Sequence, residues 1–575
     1  MILKALYDYY SRCGNLPARG TEFKEIGYLI VLSKDGTFLR IESRMLNKKQ
    51  ASSFLVLQAV NRVGLSYKAN YLWDKFEYIL GEANSDNVTE SGNKKLQKFI
   101  LLVRNLLNRQ PSNKNLRAIG CFYSKYASPC LTVSSDPLWE DLKSSGKNIS
   151  FLIEGETIIA AEDKEIWDLA LQPQQSREEN NCLILGIKGP IARLHTTIKL
   201  TKDTGPIVSF QKKSGYDSYG KQQGYNAPIC EEAEFAYTTA LNTMLRRDSR
   251  NKFTVGNRTF VFWASSNDKA AEQAEESLFD LLGYSEEKKD NPNAKIEQVR
   301  KVFTAIYSGS LSTSLEDRFY ILGLAPNSAR IAVVYWSETP LRDFAGKILR
   351  HFDDMEIIVE KSKGQKPYMG IEDMLSAVTR HGNDGKWRNN IIPNLSEAIV
   401  KSIFQGEPYP FTLFSACVRR IRAESSNKGY SPIAIEKAAI LKAYLNRIMG
   451  NNEKIKVMLD QSNNNSGYLC GRLFAVLENL QYAANKQDSI RSGYMNAASS
   501  TPSIVFPTIL KLSNSHYSKL AKDKKGLAIF FDNQKKEIMD MIQRFPDTLN
   551  LNDQGRFFLG YYHQKNYQEN NKTEE

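Results

Sequence analysis

The pattern of hydrophobic and polar positions changes once along the chain, from mixed strand and helix signals to an unbroken series of helical ones. Before about residue 392, short β-branched runs bounded by turn residues alternate with segments of helical spacing. The clearest strand pair lies within 22–41, where IGYLIVL and TFLRIES are separated by the turn signal SKDG. Further hairpins are predicted at FTVGNRTFVFWAS and DRFYILGLAPNSARIAVVYW.

Helical spacing of apolar residues predicts helices over 1–20, 93–109 and 340–352. Additional strands are predicted at FLIEGETIIA and CLILG, and the tail NYQENNKTEE is expected to be disordered. From Ile392 onward the pattern predicts helices over 410–424, 432–449, 453–460, 466–485, 488–498, 501–521 and 525–544.

These signals predict an α+β protein whose mixed α/β part, with β-hairpins, precedes an all-α C-terminal helical bundle. We expect an N-terminal mixed α/β region over 1–180, a central basic α+β region over 181–391 and the bundle over 392–575. The length of 575 residues is too great for one core and fits several domains.

The charge balance indicates which class of partner the protein binds. The chain carries 77 Lys and Arg against 64 Asp and Glu, a formal net charge of +13. Such an excess favours a polyanion, which for a cytosolic protein means nucleic acid, although solvated surface lysines are the alternative. No run of about 18 apolar residues is present, and the N-terminus lacks the pattern of a signal peptide, so we expect a cytoplasmic protein without a membrane span.

The stretch from Cys182 to Leu245 concentrates basic, small polar and tyrosine side chains on turn-prone backbone. Such residues hold phosphates and stack on bases. The segment GYDSYGKQQG within it lacks the GKS or GKT ending of a nucleotide-binding loop. His195 has no catalytic partner nearby in the sequence and is interpreted as a structural histidine. The candidate backbone-binding residues are Lys188, Arg193, Lys199, Tyr219 and Lys221.

Two N-terminal loops are candidates for contacts with duplex DNA. One carries Lys48 and Lys49, and the other carries Lys68 and Asn70 just before a predicted helix. An ammonium and an amide can contact phosphates and base edges. The alternatives are an N-cap role for Asn70 and a surface role for the lysines.

Catalytic and metal signals are sparse. The seven cysteines are scattered, with no CxxC and no zinc spacing to histidine, which favours reduced thiols. His351, Asp353 and Asp354 form the one His/Asp cluster, and a metal-dependent nuclease using them is the alternative function. The same cluster is also expected of a helix C-terminus that runs into a polar turn.

Long segments of the chain resemble a known family. They include MILKALYDYY, NYLWDKFEYILG, GPIARLHTTIK, FYILGLAPNSARIAVVYW, GYLCGRLFAVLENLQ and QGRFFLGYYHQK. These segments are similar to the large subunit of the type I-C CRISPR interference complex, Cascade, in the Csd family. The similarity extends over most of the chain.

The resemblance implies a non-catalytic binding protein without a cofactor. It would sense the protospacer-adjacent motif in double-stranded DNA, promote R-loop formation, hold the displaced strand and help recruit a helicase-nuclease in antiviral defence, while the guide reads the target by base pairing. The implied partners are the crRNA-containing backbone and crRNA-processing subunits. A structural RNA-binding scaffold is a further alternative.

The resemblance also suggests roles for the C-terminal region. Arg472, Arg491, Lys511 and Lys519 would line a groove for the non-target strand. Copies of a small subunit would arise from an internal start near Met449 or Met458. An unchanged short product after substitution of both start codons would contradict that origin.

Overall fold

Strands and helices follow the predicted order in the computed structural model of the chain. Helices contain 54% and strands 16% of the residues, and the sheets precede the helical C-terminal region, so the predicted α+β class is confirmed. The structure describes residues 2–60, 67–81, 90–171, 178–200, 203–212, 218–246, 248–255, 258–281, 292–328, 330–358, 369–382, 385–425, 433–448, 454–486 and 489–571.

Packing within the chain defines two compact units. Unit 1 comprises Leu3–Thr196 and Val208–Thr243, and unit 2 comprises Thr197–Ile207 and Met244–Glu575. Residue 392, where the sequence predicts the main boundary, therefore lies inside unit 2. None of the helices in the described ranges combines the length and apolar composition needed to cross a membrane.

Unit 1 contains a mixed sheet covered by helices. The strands of this sheet are β1 (Thr21–Leu32), β2 (Phe38–Ser43), β3 (Ser53–Leu57), β4 (Trp73–Asp74) and β5 (Asn148–Ile153). A separate two-stranded sheet contains β6 (Glu179–Asn181) and β7 (Lys188–Pro190). The helices of unit 1 are α1 (Ile2–Arg12), α2 (Phe76–Ile79), α3 (Glu90–Arg109), α4 (Lys114–Lys125), α5 (Pro129–Val133), α6 (Trp139–Ser145), α7 (Lys164–Leu171) and α8 (Glu231–Met244), which ends at the unit boundary.

The long strand β1 organises the sheet of unit 1. Its first half pairs with β3, and its second half lies between the antiparallel β2 and the parallel β5. The segment 26–32 is buried throughout, which explains its nearly continuous apolar sequence. Phe99 of α3 and Phe122 of α4 pack against Phe151 of β5.

Unit 2 joins an antiparallel sheet to a helical bundle. Its strands are β8 (Ile198–Leu200), β9 (Asp203–Gly205), β10 (Lys252–Val255), β11 (Arg258–Ala264), β12 (Arg318–Asn327) and β13 (Arg330–Pro340). Its helices are α9 (Lys269–Leu281), α10 (Pro292–Ser308), α11 (Leu341–Met355), α12 (Ile371–Val378), α13 (Leu395–Phe404), α14 (Phe411–Glu424), α15 (Ile435–Ile448), α16 (Ser466–Asn485), α17 (Ser489–Ala498), α18 (Pro502–Asp523), α19 (Lys525–Met541) and α20 (Leu551–Asn571).

One hydrophobic core runs through unit 2. Strands β10 to β13 pair in sequence order, and Phe344 of α11 stacks on Phe319 of β12 with ring centroids 4.2 Å apart. The same core continues into the helices after residue 392. At its centre α16 is buried on nearly all sides, as expected for a helix that is apolar all round.

Helices α16 and α20 pack with their backbones in close contact. A Cβ atom on Gly471 would lie 1.9 Å from the carbonyl oxygen of Phe557. A Cβ atom on Gly560 would lie 2.1 Å from the carbonyl oxygen of Tyr468. Glycine is required at both positions because any side chain would force the helices apart.

Several predictions of secondary structure are wrong, and of the predicted strand FLIEGETIIA only residues 151–153 belong to β5. The predicted strand CLILG is a turn between β6 and β7, where Gly186 has a φ of +70° and donates its N–H to the carbonyl of Cys182. The predicted helix 453–460 is not helical over its described residues, because Ile455 and Val457 form hydrogen bonds with Asn446 and Ile358. Helix α20 was not predicted, and it includes residues 566–571 of the tail that was expected to be disordered.

Candidate nucleic-acid interface

Two segments of unit 1 that are hydrogen-bonded to each other carry the basic central stretch. The segment after β7 runs beside the segment that leads into α8, with hydrogen bonds from Ala192 N to Ile229 O (3.0 Å) and from Gly224 N to Arg193 O (2.9 Å). A Cβ atom on Gly224 would lie 2.4 Å from the carbonyl oxygen of Ala192, so glycine is required for this approach. We define the basic loop as residues 191–195 together with 218–230.

Arg193, Tyr219 and Lys221 are exposed members of the basic loop. Tyr219 is 100% exposed and lies in the left-handed region with a φ of 53°, an uncommon conformation for a non-glycine residue. Arg193 Nη1 donates to Gln223 Oε1 at 2.7 Å, two residues from Lys221. The basic loop therefore carries one accessible aromatic ring and two cationic side chains.

His195 is a buried residue of this loop and helps to support it. Its Nδ1 is 2.6 Å from Tyr237 Oη on α8, and burial lowers the pKa of His195 to about 4. Glu234 accepts a hydrogen bond from Thr196 N at 2.6 Å. Burial raises the pKa of Glu234. These contacts fasten the segment to α8, which agrees with the structural interpretation of His195.

The other two central candidates lie on strands. Lys188 begins β7 and is exposed, with its Nζ 3.7 Å from Glu179 Oε2 on β6. Lys199 is exposed on β8, which belongs to unit 2, whereas the basic loop belongs to unit 1. Lys188, Arg193, Tyr219 and Lys221 thus lie in one unit and Lys199 in the other.

The N-terminal candidates divide into exposed and buried residues. Lys48 and Lys49 lie exposed on a turn that Asn47 closes, with its Oδ1 accepting from the N–H groups of Lys49 and Gln50, each at 3.0 Å. Lys68 is exposed.

Asn70 does not present its amide to solvent. It is 3% exposed, and its Oδ1 accepts from Val60 N at 2.9 Å. Its own N–H donates to Asp74 Oδ2 at 2.9 Å. The prediction that Asn70 reads bases is therefore corrected: its side chain closes the base of the loop that carries Lys68. It is not an N-cap either, because α2 begins after Lys75.

Two of the four bundle candidates are buried. Arg472 is 1% exposed, and its Nε donates to Gln564 Oε1 at 3.0 Å. Arg491 is 7% exposed, and its Nε lies 3.8 Å from Glu478 Oε1. Glu478 also accepts from Tyr561 Oη at 2.6 Å. Neither arginine can line a strand groove in this arrangement, because each guanidinium is buried against side chains of the bundle.

The other two bundle candidates lie on the outer side of α18. Lys511 and Lys519 are exposed, and Lys519 Nζ donates to Asn485 Oδ1 at 2.9 Å. They remain candidates for contact with a strand.

The family of the chain follows from a comparison of its sequence. The profile of the family described as CRISPR-associated protein (Cas_Csd1) matches residues 6–568. The chain belongs to this family. The resemblance inferred from its motifs, to the large subunits of Cascade complexes, is thereby confirmed. A comparison with curated proteins gave no match.

The Csd1 chain does not assemble its His/Asp cluster into a metal site. His351 is buried, with Nδ1 2.7 Å from Tyr409 Oη and Nε2 3.1 Å from the carbonyl oxygen of Met369. Asp353 instead pairs with Arg300 at 3.0 Å.

Asp354 is held in a separate ion pair. Its Oδ2 accepts from Arg447 Nε at 2.7 Å. Across the described residues, no group of three or more His, Cys, Asp or Glu side chains is placed to hold a metal ion. The alternative function, a metal-dependent nuclease using His351, Asp353 and Asp354, therefore has no support in this geometry.

Exposed apolar residues in and beside the basic loop were not predicted from the sequence. Leu183 and Ile187, on the turn between β6 and β7, and Leu194, beside Arg193, are exposed. The run CLILG has the composition of a buried strand, which concealed this exposure. Gly186 after the run was the available signal of a turn.

Proposed function

We propose that this Csd1-family chain is the non-catalytic large subunit of a crRNA-guided type I-C Cascade complex in the cytoplasm. It recognises the protospacer-adjacent motif in double-stranded DNA, promotes R-loop formation, stabilises the displaced non-target strand and helps recruit the helicase-nuclease. Its partners are the crRNA-containing backbone and processing subunits and small-subunit copies of its own C-terminal region. Family membership supports a Cascade role.

The basic loop is the observation that carries the proposal. A fully exposed tyrosine on strained backbone gains nothing from packing within the chain, and strain of this kind is characteristic of functional positions. Tyrosine faces stack on unpaired bases, and the nearby Arg193 and Lys221 are suited to adjacent phosphates. This combination fits an opened strand better than an intact duplex, whose bases are already stacked.

Motif sensing is assigned to the exposed lysines of the N-terminal loops. Lys48 and Lys49 lie on a turn whose backbone is fixed by Asn47, so the two ammonium groups are presented from a defined support. Lys68 contributes from the loop whose base Asn70 closes. In this assignment the lysines contact DNA, and Asn70 positions the loop.

The displaced strand is assigned to α18. Lys511 and Lys519 are exposed there, whereas Arg472 and Arg491 maintain the bundle beneath. A helix surface with cationic groups can follow a flexible backbone without reading sequence. The excess of positive charge, +13, supports such contacts along the chain.

The proposal is tested by the salt dependence of DNA binding in the reconstituted crRNA complex. Lys221→Ala removes one phosphate contact, so the slope of log K against log salt should become shallower by about one unit. Tyr219→Ala should weaken binding by about 1–3 kcal/mol, the worth of one stacked base, with little change in slope. The matched control is Lys164→Ala, an exposed lysine at the start of α7. Slopes for Lys221→Ala equal to those of this control would count against the assignment.

A further inference from the structure

Two cysteines 48 positions apart meet at the base of the basic loop. Cys182 begins the turn between β6 and β7, and Cys230 immediately precedes α8. The backbone N–H of Cys230 donates to Cys182 Sγ at 3.3 Å, and each thiol is close enough to shift the pKa of the other. Both side chains are buried and both cysteines are free.

The backbone around this pair holds the two segments in register. Leu183 N donates to Pro228 O at 2.9 Å, and Ile191 forms an antiparallel bridge with Cys230. The two sulfurs are thus neighbours because the main chains of both segments are fastened on either side of them.

The surroundings of Cys182 favour its thiolate. Burial alone would raise the pKa of Cys182, but N–H groups of Cys230, Leu185 and Ile184 outweigh it and leave the pKa below the usual value. Burial and the neighbouring sulfur raise the pKa of Cys230. Cys182 is therefore the more acidic sulfur of the pair, and a difference of this kind is found in reactive dithiols.

Other cysteines of the chain have different surroundings. Burial raises the pKa of Cys130 to about 11, and of Cys417 and Cys470 to about 12. Cys121 is exposed on α4. Burial of Cys130, Cys417 and Cys470 favours the unreactive protonated form of these thiols.

We infer that Cys182 and Cys230 form a reversible disulfide, a redox modification site that goes beyond the proposed DNA-binding function. Its closure would covalently join the turn between β6 and β7 to the start of α8, at the base of the loop that carries Tyr219 and Lys221. The exposed Leu183 and Ile187 show that this turn lies at the surface, so a small oxidant reaches Cys182 after a local movement of the turn.

The chemistry balances with a hydroperoxide as the oxidant. The Cys182 sulfur attacks one oxygen of hydrogen peroxide, an S–O bond forms, the O–O bond breaks, and the departing hydroxide takes up the thiol proton as water. The Cys230 sulfur then attacks the Cys182 sulfenic acid. An S–S bond forms, the S–O bond breaks, and the second hydroxide leaves as water with the Cys230 proton. The two cysteines lose two electrons and the peroxide gains them, and a dithiol reductant reverses the change.

Peptide mapping of the full-length native protein tests this inference. After brief exposure to hydrogen peroxide and alkylation of free thiols, trypsin should release peptides 178–188 and 222–246 joined by a disulfide. Reduction of the oxidised protein with dithiothreitol before digestion should release the two peptides unlinked. Oxidation in denaturant should lower the yield of this pair to that of other cysteine pairs, because the fold no longer brings the sulfurs together.

Variants separate the roles of the two sulfurs. Cys182→Ser and Cys230→Ser should each abolish the linked peptides, and Cys121→Ser should leave them unchanged. In Cys230→Ser, dimedone should label Cys182 several-fold more than Cys121. The inference is overturned if the native wild-type protein forms no such link, if the link forms equally in denaturant, or if Cys121 is labelled as strongly as Cys182. The wild-type mapping decides the question even where a variant fails to fold.

Discussion

At the scale of single residues, burial separates supporting side chains from candidate binding ones. Asn70, Arg472 and Arg491 have the polar chemistry of contact residues, yet each is engaged inside the protein. Lys48, Lys221 and Lys511 were predicted from residue type in the same way and are exposed. The residue types were correctly chosen from the sequence. Exposure depends on which face of a helix the tertiary packing covers. Local spacing does not determine that face in a helix as evenly apolar as α16, which carries Arg472.

Removing the buried arginine of the bundle should affect stability. Arg491→Met leaves the carboxylate of Glu478 in the core with only Lys565 Nζ, at 3.4 Å, to balance it. Breaking a buried pair costs about 3–5 kcal/mol, so we expect a loss of about 3 kcal/mol in the free energy of unfolding, measured by urea denaturation. Lys511→Met, at an exposed position on α18, should change it by less than about 0.5 kcal/mol. A stable Arg491→Met protein with selectively weakened DNA binding would restore the groove assignment.

Buried histidines should make the stability depend on pH. Burial lowers the pKa of His351 to about 4, against 6.5 for an ordinary histidine. The unfolded chain therefore binds a proton that the native state excludes, and the stabilising effect is present above pH 6.5 and lost as the pH falls towards 4. Between pH 7 and pH 5 this one group should remove about 2 kcal/mol of stability.

The contribution of His351 can be isolated by comparison with His351→Gln. Urea unfolding at pH 7 and pH 5 should show a smaller pH dependence in the variant, by about 2 kcal/mol, because effects of other groups cancel in the difference. Identical pH dependence in the two proteins would mean that His351 titrates normally in the native state.

At the scale of elements, the contact between α16 and α20 depends on glycine. Gly471→Ala places a methyl group against the backbone of Phe557, which cannot move without displacing the whole helix. We expect a loss of about 3 kcal/mol or more in the free energy of unfolding, at the upper end of overpacking costs. Gly493→Ala is the matched control, since its Cβ would meet open space on α17. It should be neutral or stabilising by up to about 1 kcal/mol. Equal stabilities would contradict the close packing.

The same contact explains why α20 was not predicted. Gly555 and Gly560 lower the intrinsic helix propensity of its sequence, while the benefit of close packing appears only in the folded bundle. The turn at Cys182–Gly186 was missed for the opposite reason, since its apolar residues suggest burial throughout, whereas Leu183 is exposed. Hairpins with a clear turn signal, such as β1 and β2 around Gly36, were predicted correctly because local chemistry determines them.

At the scale of the whole molecule, long motifs carried more information than any local pattern. The family was correctly inferred from ordered segments spread over the chain, and the matched residues 6–568 cover nearly all of it. The α+β class was also recovered, because the change from strand to helix periodicity reflects the architecture directly. The placement of charges on two separately packed units depends on tertiary structure, and the sequence supplied only their sum of +13.

We propose that this chain gives the guide complex its response to the protospacer-adjacent motif. The most direct test measures the dissociation constant of the reconstituted crRNA complex, with and without this chain, on targets with a functional motif selected from a randomised library and on scrambled ones. With the chain present, we predict binding at least about tenfold tighter to the functional motif, the effect of about one good base contact. Without it, that preference should disappear. An equal preference in both preparations would contradict the account.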